Sequence, residues 1–309
     1  SLGRSYSGTK GVFGFVGSLS YRNEQSIDHI SNFERGNWQK VDGATFDVST
    51  GKQIHPTTSA QYNFNSSLGA LVNLGWNSKN HKVTSRNFYS RMFNNQFSVI
   101  EGWGNDIGYD SRPAIREYDR PKFIDMLQNK LDGEHRFGNL KLEWNIARNQ
   151  LNNREKDATE AWLAPIGFLN DTLYNVIPSH YANAGDGTFT RSEYHYTETN
   201  KIAEGALSYQ TNWLGQKQTF KAGYQYMDRH GLFEWVSLPI VSVGANTFTP
   251  VNTWSKYLEF TDPLHGMFYY PAAFSVSAYE GKNINQAVYG LLDNRFNSWI
   301  RLVWGLRAE

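Results

Sequence analysis

The sequence predicts an all-β chain, an antiparallel up-and-down transmembrane β-barrel seen in part, with about nine strands. Three observations carry that prediction. Period-2 alternation of apolar and polar residues recurs wherever the chain is regular, and no stretch holds an apolar stripe at helical spacing over three turns. Connections between the alternating segments are short and long in turn. Several segments exceed the roughly 3 to 10 residues of soluble strands and meet the ~9 to 11 residues, plus extension, that a tilted bilayer crossing needs.

The expected strands cover residues 11–22, 61–76, 82–92, 118–131, 138–149, 200–213, 219–230, 286–294 and 299–308. In YNFNSSLGALVNLGW, Tyr62, Phe64, Leu68, Ala70, Val72, Leu74 and Trp76 share one parity, and Asn63, Asn65, Ser67, Asn73 and Gly75 the other. Facing is as clear in NLKLEWNIA, where Leu140, Leu142, Trp144 and Ile146 oppose Lys141, Glu143 and Asn145. The pattern returns with Leu207, Tyr209 and Trp213 against Glu204, Ser208, Gln210 and Asn212. It appears again with Phe220, Tyr224 and Tyr226 against Lys221 and Gln225, and with Ile300, Leu302, Trp304 and Leu306 against Arg301 and Arg307. Within 118–131, Phe123, Leu127 and Leu131 compete with Ile124 and Met126 for the apolar side, so its register stays open.

Short connections are expected at NSKNH, DGEHRF, LGQKQ and NRFNS, and long ones over residues 23–60, 93–117, 150–199 and 231–285. Such alternation sends every long loop to one end of the sheet, as in outer-membrane barrels; Greek-key crossovers would scatter them over both ends. The apolar parity then faces lipid and the amide-rich parity a hydrated or protein-filled lumen. Tyr62, Trp76, Trp213 and Trp299 suit an interfacial aromatic girdle. Read one at a time, each strand fits a soluble sheet with one buried face better, and it is the nine strands together with the alternating loop lengths that reverse the balance.

Composition narrows the classes. Lys and Arg number 30 against 29 Asp and Glu, so no net field draws the chain to nucleic acid. Cys is absent, which excludes disulfides, thiol catalysis and cysteine metal sites. No run approaches the ~18 apolar residues of a spanning helix, so a crossing would be by strands. The mean hydropathy of -0.58 agrees. The opening SLGRSYSGTK has neither an initiator Met nor a signal-peptide core and reads as an internal or mature segment.

Chemistry-bearing patterns are sparse, and the reading is a protein that is not an enzyme, with no cofactor and no metal. The histidines are dispersed; His180 and His195 with Glu193 read as solvated loop residues before they read as ligands. NAGDGTF, residues 183–189, reads as a turn. Asp106 with Asp110, or Glu155 with Asp157, would serve as an acid and base pair only at ~5 to 9.5 Å separation. In GYDSRPAIREYDRP, Arg112, Arg116 and Arg120 stand beside Asp110, Glu117 and Asp119 and read as a mutually neutralised network, with carboxylate or phosphate recognition as the alternative. GWG and GDG open no helix and are not phosphate loops. Long-loop aromatics at Trp38, Trp103, Trp162, Trp235, Trp254, Phe268, Tyr269 and Tyr270 either stack on a ligand or pack their own loop.

GVFGFVGSLSYRN, LGALVNLGW, KVTSRNFYS, the LDGEHRF turn with LKLEWNIARNQLNNREKDATEAW after it, ALSYQTNW, TFKAGYQYMDRHG and YGLLDNRFNSWIRLVWGLRAE together resemble the barrel of TonB-dependent outer-membrane transporters of the Bacteroidetes type. The likeness runs in order over nearly the whole chain and weakens in the long loops. It implies that residues 1–309 form a single region, a slice of a larger barrel of about 22 strands, with the plug domain and the final strands lying elsewhere.

By that resemblance the protein is a receptor in the Gram-negative cell outer membrane that captures a scarce ligand on its external loops. It imports the ligand with energy from the TonB complex, acting through the plug. Candidate ligand residues are Trp38, Trp103, Arg112, Arg116, Trp162, Trp235, Trp254, Tyr269 and Tyr270. Asn63, Asn65, Asn73, Glu143, Glu204, Gln210, Lys221 and Gln225 would meet plug or lumen water. Expected partners are outer-membrane lipid, the plug, the TonB complex, and a small ligand such as a siderophore, cobalamin, glycan or peptide. A soluble extracellular β-rich glycan-binding module is the alternative, and a barrel-borne hydrolase a third. Fold alone does not choose the ligand.

Overall fold

The computed structural model describes residues 1–30, 58–102, 114–165, 173–176, 188–213, 215–242, 247–250, 267–269 and 276–309. Strands follow one another as β1 (Leu2–Gly8), β2 (Gly11–Ile30), β3 (Thr58–Asn77), β4 (His81–Gly102), β5 (Ala114–Phe137), β6 (Leu140–Pro165), β7 (Leu173–Val176), β8 (Thr188–Trp213), β9 (Gln216–Ser242), β10 (Thr247–Pro250), β11 (Met267–Tyr269), β12 (Val276–Arg295) and β13 (Arg301–Ala308). Among the described residues there is no helix.

Ten strands form one antiparallel up-and-down sheet in the order β1-β2-β3-β4-β5-β6-β8-β9-β12-β13. It is open, because β1 pairs with β2 alone and β13 with β12 alone. This is the architecture of a partial barrel. At its far end β7 pairs with β10 and with the last residues of β6, while β11 pairs with β9.

Every tight connection lies at one end. Phe137 pairs with Leu140 across Gly138 and Asn139, and Gly138 has φ +61°. A two-residue hairpin loop with a positive φ at its first position favours glycine there, because a Cβ would clash in that conformation. Gly215, φ +73°, sits in the next such turn. In the last, Asn297 Oδ1 accepts from the backbone N–H of Trp299 (3.0 Å) and Ile300 (2.6 Å), an Asx turn.

The sheet departs from the sequence expectation in three ways. DGEHRF is not a turn: Asp132 to Phe137 complete β5, and the reversal falls on Gly138 and Asn139. Asp and Gly signal turns, but here Gly133 is a strand glycine over which the Trp144 indole lies. Secondly, β1 is an additional strand; LGRSYSG offers little apolar alternation by which to find it. Thirdly, the strands run far past the expected limits, so the long connections shrink to residues 31–57, 103–113, 166–187 and 243–275. The open register of 118–131 resolves: Phe123, Leu127 and Leu131 share the parity of Trp144 and Ile146, while Ile124 and Met126 take the other.

No apolar core fills this sheet. Among the described residues the buried hydrophobic ones are all alanines, Ala147, Ala158, Ala161, Ala206 and Ala287. By contrast Val72 is 52%, Ile146 57%, Leu207 50% and Leu302 52% exposed, where a sandwich would bury them. One parity carries these residues on strand after strand: Phe13, Phe15 and Leu19 on β2, Leu68 to Trp76 on β3, Leu140 to Ile146 on β6, Tyr209 and Leu207 on β8, Leu292 and Val288 on β12. Going away from the turns that parity changes character at a definite level. Arg148 follows Ile146 on β6, Lys201 follows Ala203 on β8, and Asp228 follows Tyr226 on β9.

The apolar stretch of β8, Trp213 to Ala203, measures about 33 Å along the strand and about 25 Å if tilted ~40°. Polar residues interrupt the band at Arg4 on β1, at Gln218 on β9, at Gln286 and Asn294 on β12, and at Asn87 and Asn129 on β4 and β5. There Asn129 Nδ2 donates to Asn87 Oδ1 (2.8 Å), and Asn87 Nδ2 donates to Ser85 Oγ (2.9 Å) and the Val72 carbonyl (3.1 Å).

Candidate functional site: the polar face of the sheet

The opposite face carries the polar parity and lines a concavity of ≈ 880 Å³ that reaches from β4 to β13. Alternation alone puts these side chains together, because residues two apart on a strand share a face and the ladder brings neighbouring strands into line. Asn63, Asn65 and Asn73 of β3, Glu143 of β6, Glu204 and Gln210 of β8, and Lys221 and Gln225 of β9 all lie on this one face.

Near the turns the face is a chain of alternating charges. Arg136 pairs with Glu134 (2.8 Å) and Glu134 with Lys141 (3.2 Å); Lys141 meets Glu143 at 2.8 Å, and Glu143 accepts from Lys221 Nζ at 3.0 Å. Lys221 reaches across β8, where the small residues Ala206 and Ser208 lie buried under the pair. One rung further, Glu204 accepts from Asn145 Nδ2 (2.5 Å) and Gln225 Nε2 (2.8 Å), and Gln225 Oε1 accepts from Arg307 of β13 (3.0 Å). Tyr289 lies across Gly223 on the same face, and a Cβ at Gly223 would overlap its ring. On β3, Asn63 donates to Asp28 (2.7 Å) and Ser26 (3.3 Å), Asn65 accepts from Asn94, and Asn73 Oδ1 accepts from the Asn87 backbone (3.3 Å). The face is hydrogen-bonded into a polar wall with both charge signs interleaved.

Beyond the level of Lys201 the same face changes from charges to rings. Tyr194 meets Phe233 edge-on (centroids 5.2 Å), and Phe233 stacks on Tyr279 (4.7 Å, 18°). Beneath them Tyr196 Oη donates to Glu198 Oε2 (2.5 Å), which also accepts from Arg229 Nη2 (2.6 Å). The Arg229 hydrogen bond holds the Glu198 carboxyl below its usual range, and the bond to Glu198 raises the Tyr196 hydroxyl. On the other face, at the same far end of β5, Glu117 is half-buried and burial lifts its carboxyl to about 7. Its Oε2 has no hydrogen-bond partner.

Of the loop residues expected to bind ligand, Trp38, Trp103, Arg112, Trp254 and Tyr270 lie outside the described residues, as do His180, Asp106 and Asp110. Arg116 and Trp162 are cross-strand partners at the far ends of β5 and β6, and Tyr269 pairs with Ile240 in β11 and β9. Trp235, half-buried, stands on the ring-bearing parity opposite Tyr194. His195 and Glu193 do not form a site: His195 bonds Asn152 (2.9 Å) and Glu193 pairs with Arg154 (3.2 Å). Glu155 and Asp157 are parted by a bulge in which Asp157 adopts φ +60° and pairs with Arg191, while Glu155 faces Lys122 at 3.8 Å. Among the described residues no group of three or more His, Asp or Glu is placed to hold a metal ion.

The ring cluster of Tyr194, Phe233 and Tyr279 was not legible from sequence, since its members lie on three strands and meet only through the register. Comparison with protein-family models, with curated proteins and with solved structures returns no match for this chain.

Proposed function

We propose that this chain is part of the wall of an outer-membrane active-transport receptor. Its apolar parity meets lipid, its polar parity meets a plug and lumen water, and its loop end receives a small ligand from outside. One observation carries the reading: a single-layer sheet exposes a mainly apolar band about 25 Å tall on one face, and on β6, β8 and β9 that band gives way to charge at one level, Arg148, Lys201 and Asp228. In water such a band would be a large exposed hydrophobic patch and an aggregation hazard. In a bilayer it is solvated.

Backbone demands are met by the ladder, which is what allows strands to cross hydrocarbon. The open edges at β1 and β13 are met in this reading by further strands that close the barrel. Asn87 and Asn129 fit too, because each amide spends its strongest bond on a protein partner. Near the turn rim Trp76 stacks on His81 (6.3 Å) and Trp144 Nε1 donates to His135 Nε2 (3.0 Å), an arrangement of amphipathic rings suited to the headgroup level. The energy source, TonB acting on a plug, enters through the family resemblance alone.

The soluble module needs a protein layer over Leu140, Ile146 and Leu207; among the described residues nothing forms one. The experiment is uptake in cells carrying the intact gene. We expect the protein in the outer-membrane fraction and ligand accumulation that stops when the proton-motive force is collapsed or TonB is deleted. Accumulation indifferent to both, or recovery of the protein as a detergent-free soluble monomer, overturns the proposal.

A further inference from the structure

Two histidines meet on the outward face near the turns. His81 opens β4 and His135 is its direct cross-strand partner on β5, and their Nδ1 atoms stand 3.0 Å apart. The rings are tilted by 52° with centroids 5.2 Å apart. Both strands lie inside the sheet, flanked by β3 and β6, so the contact owes nothing to the open edges. Sequence spacing does not announce it, since 54 positions separate the two residues.

Hydrogen bonding fixes where the protons sit. The Trp144 indole Nε1–H donates to His135 Nε2 (3.0 Å), and an indole can only donate. Nε2 therefore carries no proton, the neutral His135 ring keeps its proton on Nδ1, and that proton is donated to His81 Nδ1. A relay runs from Trp144 through His135 and ends on a lone pair of His81. Around it stand Trp76, stacked on His81 (6.3 Å, 8°), Phe137, edge-on to His81 (5.6 Å), and Leu142, opposite His135 on β6. The adjacent carboxylates Glu134 and Glu143 turn to the opposite face, where both pair with Lys141.

We infer that His81 and His135 form a two-imidazole site for a borderline divalent transition metal, with Cu(II) held more tightly than Ni(II) or Zn(II). Two nitrogens each about 2.0 Å from one ion lie about 2.8 Å apart at a square-planar angle and about 3.3 Å apart at a tetrahedral one. The observed 3.0 Å falls between them. Imidazole suits all three ions, and the order among them follows the Irving–Williams series. Both rings are only part-buried, so water completes the coordination. For the ion to enter, the proton on His135 Nδ1 moves to Nε2, where it faces the indole N–H and the Trp144 bond breaks. Trp144 is thus a latch that competes with the metal. The inference needs only the register of β4, β5 and β6 and stands apart from the transport reading.

The test is titration of the full-length protein in detergent micelles with copper(II), nickel(II) and zinc chlorides, with pulsed EPR at one equivalent of Cu(II) counting bound imidazoles by their remote nitrogens. The wild type should show two. His81→Ala and His135→Ala should each reduce the count to one and weaken Cu(II) binding at least about tenfold, since changes outside a ligand set already cost roughly 10- to 100-fold. Trp144→Phe, which frees His135 Nε2, should keep both imidazoles and tighten binding about threefold or more. His195→Ala, on β8, should stay within about twofold. Two histidine variants are used so that misfolding of one, seen as lost heat-modifiable mobility, leaves the other to decide. Fewer than two imidazoles in the wild type, an affinity unmoved by both histidine variants, or a Trp144→Phe variant that binds no more tightly overturns the inference.

Discussion

The turn-side and loop-side halves of these strands share one ladder and one backbone conformation, yet their outward faces are opposites. On β6 the turn half shows Leu140, Leu142, Trp144 and Ile146, and the loop half shows Arg148, Asn152 and Arg154; on β8 Tyr209 and Leu207 give way to Lys201, His195 and Glu193. Hydrogen bonding along the sheet is indifferent to this change. On the proposed reading the side chains report two solvents, and the change of character runs across β6, β8 and β9 at the level of Arg148, Lys201 and Asp228. The inner face does not mirror that boundary: it is polar in both halves, and above the boundary on β8, β9 and β12 it adds the ring cluster of Tyr194, Phe233 and Tyr279.

The comparison is broken most forcefully by placing charge in the turn half. Leu207→Arg, at a residue now 50% exposed on the apolar face, should cost about 2–4 kcal/mol in urea unfolding from lipid vesicles if that face meets hydrocarbon. The same substitution at Thr199, above the boundary, should change stability by no more than about 0.5 kcal/mol. Equal costs at both positions would remove the distinction between the halves.

Gly133→Val tests the turn half from its packing. The added side chain would displace the Trp144 indole that lies over Gly133 and break its hydrogen bond to His135, for a loss of about 1–3 kcal/mol read from the same unfolding curve. On the inner face, Glu204→Leu leaves the Asn145 and Gln225 donors without their acceptor and should cost about 1 kcal/mol, reduced by water that reaches the wall.

The loop half titrates, and two carboxyls pull in opposite directions. Glu117 has its pKa raised from 4.5 to about 7, so the folded state holds a proton that the unfolded chain has released. Its contribution is complete below pH 4.5 and is lost as pH rises to about 7. Glu117→Gln should abolish that decline, a gain of about 1 kcal/mol above pH 7 after discounting for the half of the residue that water reaches. Glu198 is depressed by Arg229; its contribution is present above the unfolded value and disappears as pH falls through the folded one. Arg229→Met should flatten the acid limb, the smallest of these effects, seen in the midpoint of acid unfolding.

Legibility followed the same division. In the turn half, apolar and polar residues alternate because one face is greasy, so Leu140 to Ile146 and Leu68 to Trp76 gave strand, register and facing directly. In the loop half both parities are polar: Arg148, Asn149, Asn152 and Asn153 carry no period, and the strands continue unseen to Pro165. Backbone pairing needs no such pattern, which is why β6 and β8 outrun their expected ends. The bulge at Glu155 and Ala158 further shifts the parity of the last residues of β6, so that no reading by alternation carries through it. DGEHRF misled because Asp-Gly favours turns, yet the neighbouring Gly138 has the positive φ and takes the reversal. Of the inner face, the eight polar residues named from parity do share one surface. The stacking of Phe233 on Tyr279 was out of reach, since these residues lie 46 positions apart in sequence and become neighbours only in the β9–β12 ladder.

The most direct measurement is a spin-label scan of β6 from Leu140 to Arg154 in phosphatidylcholine bilayers, helped by the absence of cysteine from these 309 residues. With the apolar face in lipid, even-numbered positions up to Ile146 collide readily with oxygen and poorly with an aqueous nickel chelate, odd-numbered ones do the reverse, and past Arg148 both parities favour the chelate. Even-numbered labels shielded from oxygen and chelate alike, as in a packed protein interior, would contradict it.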